Sequence, residues 1–385
     1  MGVVADDLTG AADCAVRFAA PGAPVPVVLD DRFEGDARVL AVDTDSRWVH
    51  VAEAEARVAK AAQFMESSGR PPYIKVDSLL RGYPVDTSYA AARWLGRPTV
   101  LLAPGLPDER RKVVNGWLVV DGRRDRDILA MARSRFANVR LIDLEVVRRG
   151  AGPIAAALRA ARSTEMVCVV ADSETAADLG ALAAAARLAA PDVLPVGSAG
   201  LAAGFAPAPR VDAFDAAPGT VTLFVVGSRS SAAADQVRRL RLAGVPVTTI
   251  HPEAAAEVAA SEAFGHLKRG GIAVVQLVPA AQDAAVDRVV ARGYAARLAT
   301  VAHAVVDVGD VARLVLVGGD TARAVLVALD AGGLLVSGSG PGSSCVGVVM
   351  GGHHAGMSIV TRAGAFGGSR SLLALTGAGT EGVKT

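Results

Sequence analysis

Two adjacent carboxylates, Asp6 and Asp7, stand directly after the first apolar run of the chain, in Ala5-Asp6-Asp7-Leu8-Thr9-Gly10. In a turn, both can accept hydrogen bonds from a polyhydroxylated ligand, and either can take a proton. Thr9 stands where it can cap the helix that follows. A second concentration is Lys75-Val76-Asp77-Ser78-Leu79-Leu80-Arg81-Gly82, which puts cations, a carboxylate and a hydroxyl into one short stretch. Cations are what a small carboxylate substrate requires, and arginine grips one through two parallel hydrogen bonds. Ala103-Pro104-Gly105-Leu106-Pro107 reads as a rigid loop. The plain structural alternatives are a solvated, capped turn for the first, an internal Lys–Asp or Arg–Asp pair for the second, and a simple turn for the third.

Glycine dominates the candidates in the second half. Gly227-Ser228-Arg229-Ser230 and Gly318-Gly319-Asp320-Thr321 each follow an apolar run and open a helical one. Gly338-Ser339-Gly340-Pro341-Gly342 and Gly364-Ala365-Phe366-Gly367-Gly368 come later. Backbone N–H groups at helix starts bind phosphate with help from the helix dipole, and glycine lets that backbone approach closely. Several such turns in one half favour a nucleotide site. Neither the Walker pattern ending in Gly-Lys-Ser/Thr nor the spaced-glycine dinucleotide fingerprint occurs, so a P-loop is not expected. His353-His354 lies in another glycine-rich loop with no carboxylate or cysteine at ligand spacing. It reads as loop, and no metal ligand is assigned.

These segments need rigid elements to position them. Short β-branched runs at 2–5, 25–29, 38–42, 73–76, 99–103, 139–143, 166–170 and 193–196 alternate with Ala-rich stretches at 10–20, 50–68, 86–95, 126–136, 151–162 and 174–189. Strands alternating with helices of this length predict an α/β fold with a mostly parallel sheet flanked by helices. Residues 205–219 break the rhythm with prolines and weak periodicity. Strands then resume near 221–226, 246–250, 272–278, 313–317 and 358–361, with helices near 230–243, 280–305 and 321–330. We therefore expect two α/β domains, at 1–208 and 220–385, joined by a linker at 209–219. The Gly-rich tail after about 376 is expected to fray. In open α/β sheets, ligands bind beyond the carboxyl ends of the strands, which is where the candidate residues fall.

Bulk properties narrow the function classes. Charges nearly cancel, with 40 Lys plus Arg against 39 Asp plus Glu, and only 4% of residues are aromatic. Nothing here suggests nucleic acid or an anionic membrane as partner. Cys14, Cys168 and Cys345 follow no ligand spacing and are expected as buried apolar residues. No basic segment followed by a long apolar stretch opens the chain, so a cytoplasmic location is expected.

Taken in order, ADDLTGAAD (5–13), KVDSLLRG (75–82), APGLP (103–107), VGSAGLAAGFA (196–206), GSRS (227–230) with Gln236 downstream, GGDTARAVL (318–326) and GAFGG (364–368) resemble the four-carbon acid-sugar kinases. That family phosphorylates threonate, erythronate and 3-oxo-tetronates with ATP. The resemblance implies an N-terminal acid-sugar-binding domain, a C-terminal nucleotide-binding domain and a reaction in the cleft between them. Carried over by position, Asp6, Asp7, Lys75, Asp77, Ser78, Arg81 and Gly82 would meet the substrate. Gly227, Ser228, Arg229, Gly318, Gly319, Asp320, Thr321, Gly364 and Gly367 would line the nucleotide, with Mg²⁺ bridging its phosphates. Lys75 or Arg81 would anchor the carboxylate. Asp7, Asp6 and Arg81 are the expected catalytic groups, with Asp6, Asp7 and Asp77 all open as proton acceptor. The pattern departs from the family at Leu79, Tyr83, the loop after Pro107 and Arg362-Ala363. A non-catalytic sensor of sugar acid or nucleotide is the alternative function. A nicotinamide-dependent oxidoreductase is disfavoured by the missing fingerprint. The oligomeric state is left open, a homo-oligomer included.

Overall fold

The computed structural model describes residues 1–30, 33, 35–207, 211–215, 217, 219–251, 255–278 and 288–377. The chain divides into two compact units, Met1–Phe18 with Val27–Pro209, and Ala19–Pro26 with Arg210–Thr385.

The first unit runs β1 (Gly2–Ala5), α1 (Leu8–Phe18), β2 (Val25–Val28), β3 (Leu40–Asp43), α2 (Val51–Ser67), β4 (Pro72–Lys75), α3 (Pro84–Trp94) and β5 (Thr99–Ala103). A meander follows, β6 (Arg111–Val114), β7 (Trp117–Val120) and β8 (Arg123–Asp127). Then come α4 (Ile128–Arg133), β9 (Asn138–Ile142), α5 (Leu144–Arg148), α6 (Ala151–Ala160), β10 (Val167–Ala171), α7 (Ala176–Leu188), β11 (Val193–Gly197) and α8 (Ala199–Ala203). The main sheet is parallel throughout, in the order β2-β3-β1-β4-β11-β5-β10-β9. β1, β4, β5 and β10 are buried at every position. Unbroken burial, rather than alternation, is what a parallel sheet covered on both faces requires. Close packing explains Gly2, whose added Cβ would lie 2.6 Å from the Met65 side chain of α2.

The second unit runs β12 (Thr222–Val226), α9 (Ser231–Leu242), β13 (Val247–Ile250), α10 (Ala256–Gly270), β14 (Ile272–Leu277), α11 (Arg288–Val308), β15 (Arg313–Val317) and α12 (Gly319–Ala328). It ends with β16 (Gly333–Gly340), β17 (Ser344–Met350), β18 (Ser358–Arg362) and α13 (Ser371–Ala374). Its strand order is β13-β14-β12-β15-β18-β17-β16. The pairs from β13 to β18 are parallel, and β17 is antiparallel to both of its neighbours. A buried cluster including Phe224, Val237, Leu240, Val315 and Leu372 packs α9 and α13 against the sheet. Both units open with the same topology. The first strand lies between the third and the fourth, and the second lies outside the third. No repeat in sequence accompanies it.

The expected alternation is present in both sheets, α5, α8, β16, β17 and α13 are additional to it, and there are three larger differences. The β6–β8 meander was not expected. Its turns are Asn115-Gly116 and Asp121-Gly122, with φ of 52° and 74°, then 50° and 81°. Those are the hairpin dipeptides whose twist suits paired strands, so the signal was present in the sequence. Second, Gly338 and Gly340 lie inside β16 and do not form a free turn. An added Cβ on Gly338 would sit 2.5 Å from the Val211 carbonyl, because residues 211–213 pair along β16. Val211 and Ala213, inside the expected linker, thus bond the second sheet. Third, α10 was not anticipated, and the start of the helix expected at 280–305 lies outside the described residues, as does the tail from 378.

Asp172 anchors the meander. It is 1% exposed and accepts hydrogen bonds from the Asn115 and Gly116 amides, both at 2.8 Å. Val113 and Ser173 exchange backbone bonds beside it, at 2.8 and 2.9 Å. Bonds to a charged acceptor are worth about 1.5–3 kcal/mol each. Asp172→Ala should therefore cost about 3 kcal/mol locally and speed amide exchange across residues 111–120, leaving β1 and β4 amides protected. Unchanged exchange at Asn115 and Gly116 would show that the turn residues suffice by themselves.

Candidate active site

In the first unit the chain leaves β1 toward β2 on one side and returns to β4 on the other. The carboxyl ends of β1 and β4 therefore flank a topological switch point, the usual ligand position in such sheets. Asp6 and Asp7 follow β1, and Lys75 ends β4. The loop after β3 is stitched onto the same edge. The Thr44 amide donates to the Ala5 carbonyl at 2.9 Å, and the Ser46 and Arg47 amides donate to the Asp6 carbonyl at 3.1 and 3.2 Å.

That stitching delivers Arg47, which the sequence reading missed. Its guanidinium donates to both Asp6 oxygens, Nε at 2.8 Å and Nη2 at 2.7 Å. It also donates to both Asp7 oxygens, Nη1 at 2.7 Å and Nη2 at 2.8 Å. Its Nη2 lies 3.7 Å from Asp77. The run Asp43-Thr44-Asp45-Ser46-Arg47 at a strand end was a signal that could have found it. Gly82, at φ +75°, packs on this residue, and an added Cβ would meet the Arg47 carbonyl at 3.3 Å.

The two aspartates differ in their remaining partners. α1 begins at Leu8, so Asp7, and not Thr9, is its cap. Asp7 Oδ1 accepts from the Gly10 amide at 2.9 Å, and Thr9 Oγ1 donates to Oδ2 at 2.8 Å. Each Asp7 oxygen thus accepts two hydrogen bonds, the capacity of a carboxylate oxygen. Burial pushes the Asp7 carboxyl up, but Arg47, Lys75 and the Thr9 hydroxyl outweigh it and hold it below its usual range. Asp6 accepts one bond at each oxygen, both from Arg47. Burial pushes its carboxyl up, and the attraction of Arg47 does not offset this, with the Asp7 charge adding to the rise. Lys75 is 6% exposed and donates to the Val76 carbonyl at 3.0 Å. Gly10 makes room for it, since an added Cβ would lie 2.9 Å from Lys75 Nζ. A cavity of about 10 Å³, lined by Asp6, Arg47, Lys75, Tyr83 and Thr87 among others, lies beside these groups.

Arg81 folds back on Asp77 through two parallel bonds, Nε and Nη2 each at 2.8 Å. The Leu79 and Arg81 amides add bonds to the same carboxylate at 3.2 Å. Leu80 at φ +58° makes the bend that allows this. A second unexpected arginine, Arg111 on β6, donates to Ser78 Oγ. Ser78, Asp77, Arg81, Arg47, Asp6, Asp7 and Lys75 therefore form one continuous polar cluster.

In the second unit the equivalent switch point lies between β12 and β15, and its strand ends carry backbone instead of charge. Residues 227–230 follow β12, 318–321 follow β15 and 363–367 follow β18, which are adjacent strands. The loops touch. Added Cβ atoms would fall 1.9 Å from Thr321 Oγ1 at Gly227, and 1.9 Å from Ser228 Oγ at Gly364. Ser230 caps α9 through the Ala233 amide at 3.1 Å and donates to the Gly364 carbonyl at 2.6 Å. Gln236 donates to the Phe366 and Gly367 carbonyls at 3.1 and 3.3 Å, and Arg362 also reaches the Phe366 carbonyl. Gly318 at φ +112° and Gly367 at φ +77° adopt backbone that favours glycine. Gly319 opens α12, and Arg229 and Asp320 are exposed at this edge. The starts of α9 and α12 thus converge, as a phosphate chain requires.

Other candidates do not join either cluster. His354 pairs with Asp307 at 3.1 Å, as does His303 at 3.4 Å. Among the described residues, no group of three or more His, Cys, Asp or Glu is arranged to hold a metal ion. All three cysteines are buried and free, and burial pushes the Cys14 and Cys168 thiols up to about 12. Among the described residues no helix is long and apolar enough to cross a membrane.

Asp77 gives the first unit a testable acid dependence. Burial pushes its carboxyl up, but the Arg81 hydrogen bonds and the charges of Arg47, Arg81 and Lys75 hold it well below the usual range. A depressed carboxyl stabilises the fold above its unfolded value of about 3.9 and loses that contribution as pH falls toward its folded value. Removing one partner of a buried pair costs about 3–5 kcal/mol, and Arg81 is 44% exposed. Asp77→Asn should thus cost about 3 kcal/mol at pH 7 by urea melting. The gap to wild type should narrow between pH 5 and pH 3. A gap independent of pH would show that the carboxylate charge is not what stabilises the loop.

Two family models match successive parts of the chain. A model described as a sugar-binding N-terminal domain matches residues 1–134 and 124–205. One described as a nucleotide-binding C-terminal domain matches residues 223–372. A D-threonate kinase of Bordetella bronchiseptica is 34% identical over 95% of this chain and 94% of its own length. A D-erythronate kinase of Heliobacterium modesticaldum is 31% identical over 61% of this chain and 59% of its own. Solved structures of a Salmonella typhimurium protein and a Haemophilus influenzae protein share the fold, with TM-scores of 0.77 and 0.73 at 20% identity. They span 97% and 98% of this chain, and 97% and 100% of theirs. With the two matches covering one unit each and a kinase relative aligned along nearly the whole length, the chain belongs to the four-carbon acid-sugar kinase family.

Proposed function

We propose that this chain transfers the terminal phosphoryl group of ATP to a hydroxyl of a four-carbon sugar acid. The observation that carries the proposal is the unequal pair at the end of β1. Arg47 holds Asp6 and Asp7 side by side, yet only Asp6 keeps acceptor capacity for a ligand. A sugar acid offers hydroxyls to such acceptors and a carboxylate to the cations beside them. The nucleotide would bind the glycine turns at 227–230, 318–321 and 364–367, with its phosphates against backbone amides at the starts of α9 and α12.

In this mechanism Asp6, rather than Asp7, takes the proton of the attacking hydroxyl. A carboxyl raised toward neutrality is a better base, while one saturated with donors is a poor one. Asp7 caps α1 and fixes Arg47, and Arg47 in turn orients Asp6. Arg81 and Asp77 form the wall next to them. The Asp320 carboxylate and nearby hydroxyls would hold a magnesium ion brought with the nucleotide, which would supply positive charge against the phosphates. Phosphoryl transfer asks mainly for positioning and charge neutralisation, and aligned reactants can save about 7–11 kcal/mol of barrier. A cytoplasmic location suits an enzyme that uses ATP. A sensor derived from such a kinase would need no base, and Asp6 favours catalysis over it.

Incubation with Mg·ATP and a panel of four-carbon acids, with the product read by mass spectrometry, tests the function. ADP release with a monophosphorylated acid is the expected outcome, and ligand-induced melting shifts without ADP would favour the sensor. Asp6→Asn should lower kcat by about 10²–10⁴-fold. In wild type, kcat/KM should rise with pH as Asp6 loses its proton, at a pH above the ordinary 3.9 or so. That acid limb should vanish in Asp6→Asn, and a limb that persists would assign the proton elsewhere. Gly227→Ala, which drives a Cβ into Thr321, should weaken ATP binding about tenfold or more by calorimetry while acid binding stays. Equal nucleotide affinity would mean that this turn is structural only.

A further inference from the structure

The glycine loop after β18 has its carbonyls held from one side. Ser230 Oγ, at the start of α9, donates to the Gly364 carbonyl at 2.6 Å. Gln236 Nε2, further along α9, donates to the Phe366 carbonyl at 3.1 Å and the Gly367 carbonyl at 3.3 Å. A glutamine amide nitrogen carries two donors, enough for both. Gln236 is fully buried, and among the described residues its Oε1 has no donor. A buried acceptor left unpaired is unfavourable. An apolar side chain would fill the same space without that cost, so packing alone is a poor reason for glutamine here.

In a trans peptide the C=O and the following N–H point in opposite directions. The three peptides whose carbonyls are held are trans. Each held carbonyl therefore turns the next amide away from α9. Those amides belong to Ala365, Gly367 and Gly368, and all three residues are exposed. Among the described residues none of the three amides has a hydrogen-bond partner. The Phe366 amide, which no held carbonyl precedes, bonds the Ala363 carbonyl at 3.1 Å instead. Gly367 lies at φ +77°. Successive amides around a left-handed residue form a concavity that suits an anion.

We propose that Gln236 is a positioning residue for phosphate, that of the nucleotide in the reaction proposed above. By holding the Phe366 and Gly367 carbonyls toward α9, it turns the Gly367 and Gly368 amides outward as a phosphate seat. Ser230 sets the Ala365 amide beside them in the same way. This rests on the function proposed above and deepens it. Donors in place before the ligand arrives spare it the cost of ordering the loop.

The test uses Gln236→Met, which keeps the length of the side chain and removes its donors. By calorimetry it should lose about tenfold or more in Mg·ATP affinity, while affinity for D-threonate or D-erythronate stays unchanged. Gln236→Glu, which sets an acceptor against the same carbonyls, should lose at least as much. Thermal melting confirms that each variant is folded. Amide exchange by NMR reads the seat directly and needs no variant. Saturating Mg·ATP should slow exchange at Gly367 and Gly368 in wild type, and Gln236→Met should lose that protection. Unchanged ATP affinity in Gln236→Met overturns the assignment. So does protection of the two amides that persists in the variant or is missing from wild type. If wild type binds ATP but phosphorylates no acid, the functional proposal fails separately and the same measurements still decide Gln236. If wild type binds no ATP, tripolyphosphate is the probe. Protection of the two amides by it, lost in Gln236→Met, sustains the phosphate seat, and any other result removes it.

Discussion

A single guanidinium holds two adjacent buried carboxylates, and the first unit's site follows from that constraint. Two aspartates side by side at a strand end repel each other, and taking either out of water is costly. Arg47 makes the arrangement stable by donating to all four oxygens. Since it serves both equally, the difference between them comes from the other side. Asp7 also meets a helix start and a hydroxyl, and Asp6 meets neither, while the Lys75 ammonium attracts both. One pair of like residues is thereby divided into a carboxylate saturated with donors and one that keeps acceptor capacity.

The same topology meets two different chemical demands in the two units. Each has its switch point between its first and fourth strands in chain order, where loops splay apart and leave room for a ligand. In the first unit that edge carries charged side chains, suited to a small acid with several hydroxyls. In the second it carries glycine and serine, so the backbone itself is exposed. Phosphates present many equivalent oxygens, and an array of amides at two helix starts answers them better than any single cation. The contacts of Gly227 with Thr321 and of Gly364 with Ser228 leave no room for side chains between the loops.

The meander adds a layer that neither sheet supplies. It is short, with β8 almost fully in solvent, and would have little stability by itself. A buried carboxylate, Asp172, is clamped to its first turn and holds it in place.

Period and composition alone determined the α/β architecture here. Apolar β-branched runs such as Val167–Ala171 have no polar face to leave in water, and the Ala-rich stretches between them can only be helices on the sheet. Strand ends followed by Asp6-Asp7, Lys75–Gly82 and the glycine turns were legible for the same reason, since a local run of unusual residues reports a local backbone. The hairpins at Asn115-Gly116 and Asp121-Gly122 were written just as locally but went unread. Arg47 and Arg111 belong to a different class. Each is one arginine among many, and its meaning lies in partners 41 and 33 residues away in the chain, Asp6 and Ser78. The choice between Asp6 and Asp7 was likewise decided only by the folded structure. Adjacent identical residues are chemically equal until packing gives one of them two acceptor bonds per oxygen and the other only one.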